Sequence, residues 1–377
     1  MTQRIWYIGQ AIVDLSVRLP HLPEVGGDVF AQRSQMSAGG GFNVLAAAAR
    51  DGGAITYLGT IGDGPLAAII SGAMVKEGIA QLNRPIIGQD SGWCLAMVDD
   101  DAERTFVSVL GAEGRLASEH LAHASIDYDD IVFLCGYALR HPNNGATIAA
   151  WLPSLPRAVP LVIDPGPLLD EIPDDLWRLV VHRASLWTVN RREAGLMLNR
   201  LTADLAASHA TEVADDTAEP HDGVSTEERV AIEKEDLGEN ALGSATAPGV
   251  DADLRPTAPD DRVAPVDDVA ALARALQAQL SVPLVLRDGA EGSWLASADQ
   301  LIHLPALAVT AVDQTGAGDC HAGVLLAGMA HGLSLEAAIR RANVAAAIAV
   351  TRHGGATAPT RREIDQAMAG APALGGD

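Results

Sequence analysis

Val312-Asp313-Gln314-Thr315-Gly316-Ala317-Gly318-Asp319, followed by Cys320-His321-Ala322-Gly323 and an alanine-rich run, is the stretch on which the fold turns. It reads as a small-residue turn, ending in an acid, where an apolar strand gives way to a helix. Such a turn sets consecutive backbone N–H groups at a helix N-terminus, where they hold an anion. A carboxylate beside an anion site is normally unfavourable, because like charges repel. It makes sense where Asp319 is a base that takes a proton from a hydroxyl while the N–H groups hold a phosphoryl group in transfer. Taken alone, the same residues also fit an ordinary turn, with Gly316 and Gly318 supplying unusual backbone angles and Asp319 capping the helix.

Outward from this turn, apolar runs at residues 130–135, 161–164, 185–190 and 284–287 read as buried strands. Helical patterns such as 144–152 and 268–280 separate them. Strands alternating with helices imply a parallel sheet covered on both faces. At the other end, residues 5–8 and 11–15 read as a first strand running into a loop. Residues 44–50 and 66–78 read as helices around a strand at 55–60. Residues 91–98 and 103–109 form a hairpin pattern that breaks the rhythm. With the mixed stretch 15–37, the segment 91–110 reads as a small β lid over one edge of the sheet.

The 377 residues carry a formal net charge of −23, spread unevenly. Residues 204–268 hold 18 acids and 4 bases, a net of −14, which leaves −9 for the rest. The segment 202–266 is rich in Ala, Asp, Glu, Thr, Pro and Gly and has no aromatic residue. That composition buries too little apolar surface to offset the entropy of ordering, so a disordered acidic insertion is expected, with weak helix near 227–235. No basic stripe exists to neutralise phosphates, which argues against nucleic acid. Cys94, Cys135 and Cys320 lie far apart, so neither a disulfide framework nor a CxxC metal site is indicated, and Cys320 reads as a packed thiol. The N-terminal residues lack a signal-peptide pattern and no apolar run is long enough to span a bilayer. A soluble, cytoplasmic protein with no membrane partner is expected.

A second glycine cluster, Ala38-Gly39-Gly40-Gly41-Phe42-Asn43, precedes the first helix. Glycines let the backbone approach a ligand closely, and Asn43 offers a donor and an acceptor, which suits sugar hydroxyls. No GxxxxGK[ST] phosphate loop occurs. Together the two clusters resemble the signatures of the ribokinase-like (PfkB) carbohydrate kinase family, with Gly52 and Gly62 also in place. Asn190-Arg191-Arg192-Glu193 looks like that family's Asn-x-x-Glu element, and residues 341–355 resemble its nucleotide-binding tail. The resemblance runs from about residue 5 to 367 and skips the acidic insertion.

It implies a three-layer α/β/α domain over residues 1–377, with a mostly parallel central sheet and a small β lid. It also implies an ATP- and magnesium-dependent kinase acting on a hydroxyl of a small sugar or sugar derivative. Asp319 would be the base, and the amides of Gly316, Ala317 and Gly318 the anion hole. Asp14, Gly40, Gly41 and Asn43 would hold the sugar. Asn190 and Glu193 would organise the ATP phosphates, with Glu193 reaching magnesium through water. Asn343 and Gly289 would lie by the nucleotide, and Asp313 where relatives bind a monovalent cation such as potassium. Lids of relatives pair, so a homodimer through the lid is expected. The chain departs from ribokinase in lacking a lysine in the first cluster and an acid near 137–139. Gln314, His321, Arg287 and Leu45 also replace usual residues, which bears on the substrate. A nucleoside kinase and a non-catalytic sugar-sensing protein are the alternative readings.

Overall fold

Ile5, Trp6, Tyr7 and Ile8 are buried one after another. Successive residues of a strand face opposite sides, so both faces of this strand are covered, as in a parallel sheet flanked by helices. The computed structural model describes residues 3–99, 104–216 and 268–370. The chain opens with β1 (Arg4–Ile8), β2 (Ala11–Arg18) and β3 (Arg33–Gly40), then α1 (Phe42–Arg50) and β4 (Ala54–Tyr57). Next come α2 (Pro65–Lys76), β5 (Ala80–Gln81), β6 (Trp93–Val98), β7 (Arg104–Val109) and α3 (Ser118–Ala122). The middle holds β8 (Ile131–Cys135), α4 (Gly136–Arg140), α5 (Pro142–Trp151), β9 (Leu161–Asp164), α6 (Asp174–Arg183) and β10 (Leu186–Asn190). After α7 (Arg191–Asp216) and α8 (Val269–Leu280) follow β11 (Leu284–Arg287), β12 (Ser293–Ala296) and β13 (Leu301–Leu304). Helices α9 (Ala317–Ala330), α10 (Leu335–Ala349) and α11 (Arg361–Gly370) complete the described chain.

Nine strands form one sheet in the order β13-β12-β11-β10-β9-β8-β1-β4-β5. Every pairing from β5 to β11 is parallel, and β12 and β13 add an antiparallel edge. Helix α9 packs on both α1 and α10, and the three contribute to a core that includes Ile5, Tyr7, Ile55 and Phe133. The close approach of α9 to α1 needs Gly323, where a Cβ would stand 2.4 Å from the Val44 carbonyl. The small-residue run after Asp319 is therefore a packing face.

The second sheet, in the order β3-β2-β6-β7, is the lid. Strands β2 and β3 begin earlier and end later than the segment expected at 15–37, and β6 and β7 fall within the segment expected at 91–110. Residues 11–15 do not continue the first strand: β2 pairs with β3 and β6 instead of with the large sheet. The expected apolar strand leading into Gly316 is also absent, because β13 ends at Leu304 and residues 305–316 are a loop and turns. That loop is fixed to the C-terminal part, with the amides of Val312 and Asp313 both donating to the Val350 carbonyl. Backbone geometry here is set by a distant partner, which local sequence does not announce.

The chain separates into two compact units, Met1–Asn199 with Val266–Asp377, and Arg200–Pro265. The first contains both sheets. Of the second, the described part is the continuation of α7 to Asp216. Residues 202–216, which composition placed in a disordered insertion, are thus helical. Extending an existing helix through Ala- and Leu-containing sequence needs no new nucleus. The remainder of that expectation, residues 217–266 with the weak helix near 227–235, lies outside the described residues. Among the described residues, no helix is long and apolar enough to cross a membrane.

Candidate active site

The C-terminal ends of the parallel strands gather the charged groups, the usual place for a site in such sheets. Asp164 ends β9, Asn190 ends β10 and Arg287 ends β11, with Asn190 and Arg287 in register. The head of α9 brings Asp319, and the head of α1 brings Asn43.

Gly316 caps α9 in the left-handed region (φ +74°), and a Cβ there would lie 2.3 Å from the Gly355 carbonyl oxygen. Glycine is therefore required twice over, by angle and by space. The amides of Gly316 and Gly318 have no protein partner among the described residues. That of Ala317 donates to the Gln314 carbonyl at 3.2 Å. Asp313 anchors the turn, accepting from the Thr315 amide at 2.9 Å and the Gly354 amide at 3.0 Å.

Asp319 accepts a hydrogen bond from Asn43 Nδ2 at 3.0 Å, so the two glycine clusters meet at this carboxylate. Burial pushes its carboxyl up to about 6, and Asp164 adds to this, while the Asn43 bond and Arg287 work the other way. Burial likewise raises Asp14, on β2, to about 6. A Cβ on Gly39 would fall 1.8 Å from Asp14 Oδ2, so this glycine makes room for the carboxylate. Gly40 has φ +56°, and at Gly41 a Cβ would collide with the Tyr7 hydroxyl at 2.0 Å. Asp14, Gly40, Gly41, Asn43 and Asp319 thus converge at the base of the lid.

Asn190 and Glu193 cap α7 reciprocally: the Asn190 amide donates to Glu193 Oε2 at 2.8 Å, and the Glu193 amide to Asn190 Oδ1 at 2.9 Å. Glu193 is not a surface acid. It is buried, its carboxyl is raised by burial and by Asp164, and Arg287 Nη2 pairs with it at 3.3 Å. Arg287 Nη1 also pairs with Asp164 at 3.1 Å and donates to the Gly318 carbonyl at 3.1 Å. No group of three or more His, Cys, Asp or Glu among the described residues forms a metal cage. Asp164 and Glu193, two neighbouring carboxylates that share Arg287, fit in chemistry a magnesium ion that keeps most of its waters.

Asn343 is buried and committed inside the protein. Its Nδ2 donates to the Leu304 carbonyl at 2.7 Å, and its Oδ1 accepts from Ser293 Oγ at 2.7 Å and from His321 Nε2 at 3.1 Å. Burial drives His321 down to about 3, so the imidazole is neutral. Gly289, at φ +57° after β11, has open space where a Cβ would be.

Sequence reasoning passed over three residues. Asp164 is one, signalled by Asp164-Pro165-Gly166 directly after an apolar strand. Tyr137, at the start of α4, has its phenol raised by burial, by Cys135 and by Asp319, which puts it in the same charged neighbourhood as Asp319. Phe106, in register with Ala96 and so two steps beyond Asp14 on the same lid face, is 59% exposed. Trp93 pairs with Val13 on the opposite face, and His141 packs against Gly114.

Comparison with known proteins gives the family and the fold. The model of the pfkB family carbohydrate kinases matches residues 2–219 and 257–361. The uncharacterized sugar kinase YegV of Escherichia coli (strain K12) is 30% identical over 363 residues, which cover 96% of this chain and 93% of that protein. A fructokinase of Escherichia coli is 25% identical, over 97% of this chain and 99% of its own length. Among solved structures, a ribokinase from Thermotoga maritima superposes with a TM-score of 0.68 at 19% identity, covering 97% of this chain and 99% of that one. The chain has the ribokinase fold and belongs to the pfkB family of carbohydrate kinases.

Proposed function

We propose that the protein is an ATP- and magnesium-dependent kinase that moves the γ-phosphoryl group of ATP to a hydroxyl of a small sugar or sugar derivative. The observation that carries this is the enclosed Asp319 carboxylate, held by Asn43 from the first glycine cluster and preceded along its own turn by the unpartnered amides of Gly316 and Gly318. Asp14, Gly40, Gly41 and Asn43 bind the sugar and turn one hydroxyl toward Asp319. A carboxyl raised to about 6 is ionised at neutral pH yet basic enough to accept the proton. As the alkoxide oxygen bonds to the γ-phosphorus, the bond to the ADP oxygen breaks. The amides of Gly316 and Gly318, joined by Ala317 when it leaves the Gln314 carbonyl, hold the charge in transit.

Asn190 and Glu193 present the head of α7 to the phosphates, and Glu193 with Asp164 would hold magnesium through water. When bound, that ion neutralises phosphate charge and favours departure of ADP. Gly289 leaves the backbone open for the nucleotide, and Asn343 supports the pocket wall from behind. The Asp313–Gly354 bond marks the loop for a potassium ion. The lid completes the reading. On the face turned away from Asp14, Met36, Val107 and Val109 are exposed, and a second lid covering them makes the protein a homodimer.

Phe106 favours a second reading, because an exposed ring on the Asp14 side of the lid suits stacking on a nucleoside base. One assay separates the two. Wild type and Asp319→Asn are incubated with Mg-ATP and a panel of pentoses, hexoses, keto-deoxy acids and nucleosides, and ADP release is followed. The proposal expects turnover with a sugar and a loss of roughly three orders of magnitude or more in Asp319→Asn, with sugar binding kept. Turnover confined to nucleosides supports the second reading. Near-native rates in the variant contradict the role of Asp319.

A further inference from the structure

Arg287 spreads its donors over three elements of the site. It pairs with Asp164 and Glu193, which alone would make a buried ion cluster, and it also donates to the Gly318 carbonyl. Charge balance does not require that third bond. It falls on the peptide that joins the proposed anion hole to the proposed base.

In a trans peptide the carbonyl oxygen and the following N–H point in opposite directions. A guanidinium on the Gly318 oxygen therefore fixes the Asp319 N–H on the side away from Arg287. This N–H belongs to the first turn of α9, where no intrahelical carbonyl can receive it, and no protein group among the described residues does so. Helical geometry already turns it toward the N-terminal side. First turns fray, however, and Gly318 has no side chain to resist tipping. A Cβ at Gly318 would lie 3.2 Å from Arg287 Nη1, so the guanidinium stands where a side chain would otherwise stiffen the turn.

We infer that Arg287 is a positioning residue for phosphoryl transfer: by holding the Gly318 carbonyl it aims the Asp319 amide at the phosphoryl group, alongside the amides of Gly316, Ala317 and Gly318. The inference rests on the kinase reading. Arg287 acts through the turn and touches neither reacting oxygen. The planar fork of arginine sets two nitrogens at a fixed spacing against a carbonyl and two carboxylates, whereas lysine presents all its donors from one nitrogen on a flexible stem.

The test titrates wild type, R287K and R287Q calorimetrically with Mg·AMP-PNP and with Mg·ADP, with circular-dichroism melts to establish folding. The two nucleotides differ by the γ-phosphoryl group. R287K, which keeps the charge beside Asp164 and Glu193, is expected to bind Mg·ADP like wild type and Mg·AMP-PNP about tenfold more weakly, the loss of one aligned charge-holding donor; R287Q is expected to show the larger loss with Mg·AMP-PNP. With the acceptor that wild type turns over, kcat falls by about a hundredfold while the acceptor KM stays near wild type. R287K keeps the charge beside Asp164 and Glu193, so it carries the test if R287Q does not fold. A folded R287K with wild-type Mg·AMP-PNP binding and kcat overturns the inference, as does equal weakening of both nucleotides. Wild type that binds neither nucleotide overturns the kinase reading itself, a separate result.

Discussion

Gly39–Gly41 and Gly316–Gly318 each stand at the head of a helix, α1 and α9, and these helices pack against each other. The glycines answer different needs. In the first cluster the space belongs to a side chain: without a Cβ at Gly39, the Asp14 carboxylate crosses the strand. In the second it belongs to the backbone: Gly316 takes a left-handed angle against the Gly355 carbonyl and leaves amides facing outward. Asn43 and Asp319, joined at 3.0 Å, are where the two meet. On the proposed reading, the same residue type shapes an acceptor subsite on one side and a donor subsite on the other.

Substitutions at the two clusters should separate these roles. G316A forces a side chain into a left-handed angle and onto a carbonyl, so the amides shift. A displacement on that scale is expected to cost about a hundredfold in kcat, read by steady-state kinetics with little change in acceptor KM. G39A displaces Asp14 and removes charge-assisted bonds to the acceptor. Its KM for the acceptor should rise by roughly tenfold or more with a smaller change in the KM for ATP. If both variants moved the same parameter, the division of labour would fail.

Acidity sharpens the comparison, because one carboxylate from each side is raised to about 6. The proposed function needs both ionised. The ratio kcat/KM should therefore rise with pH through about 6 and level off above it, with a slope on the acid side steeper than one proton gives. D14N should leave a single-proton slope. A limb near pH 4, the ordinary carboxylate range, would mean that neither group is as enclosed as the structure has it. The smallest effect belongs to the outer lid face. M36D or V107D should convert a dimer to a monomer in sedimentation velocity while leaving kcat near wild type.

Much of this was legible in the chain. Buried strands of the parallel sheet are short apolar runs, and those at 161–164 and 284–287 begin and end as read. Both glycine clusters announced themselves by composition. What escaped depends on partners far away in sequence. The β2 strand looked like an extension of β1 because its partners, β3 and β6, lie many residues downstream. The β12–β13 edge hairpin is short, and its alternation is too brief to stand out. Residues 305–312 are apolar like a strand yet form a loop held by Val350 and Asp313. At the site, the Asn-x-x-Glu spacing marked Glu193, but its pairing with Arg287, which also holds Asp164, joins neighbouring strands and was not legible. Asn343 shows the reverse, a polar residue on a helix whose amide is consumed by Leu304, Ser293 and His321. Charge pairing across a sheet has no period, so a single sequence does not display it.

Calorimetric titration of wild type, G39A and G316A, each with Mg·AMP-PNP and with the acceptor that turns over, tests the two-cluster account most directly. The account predicts that G39A loses acceptor affinity and keeps the nucleotide, while G316A weakens Mg·AMP-PNP and keeps the acceptor. Loss of both ligands in either folded variant would contradict it.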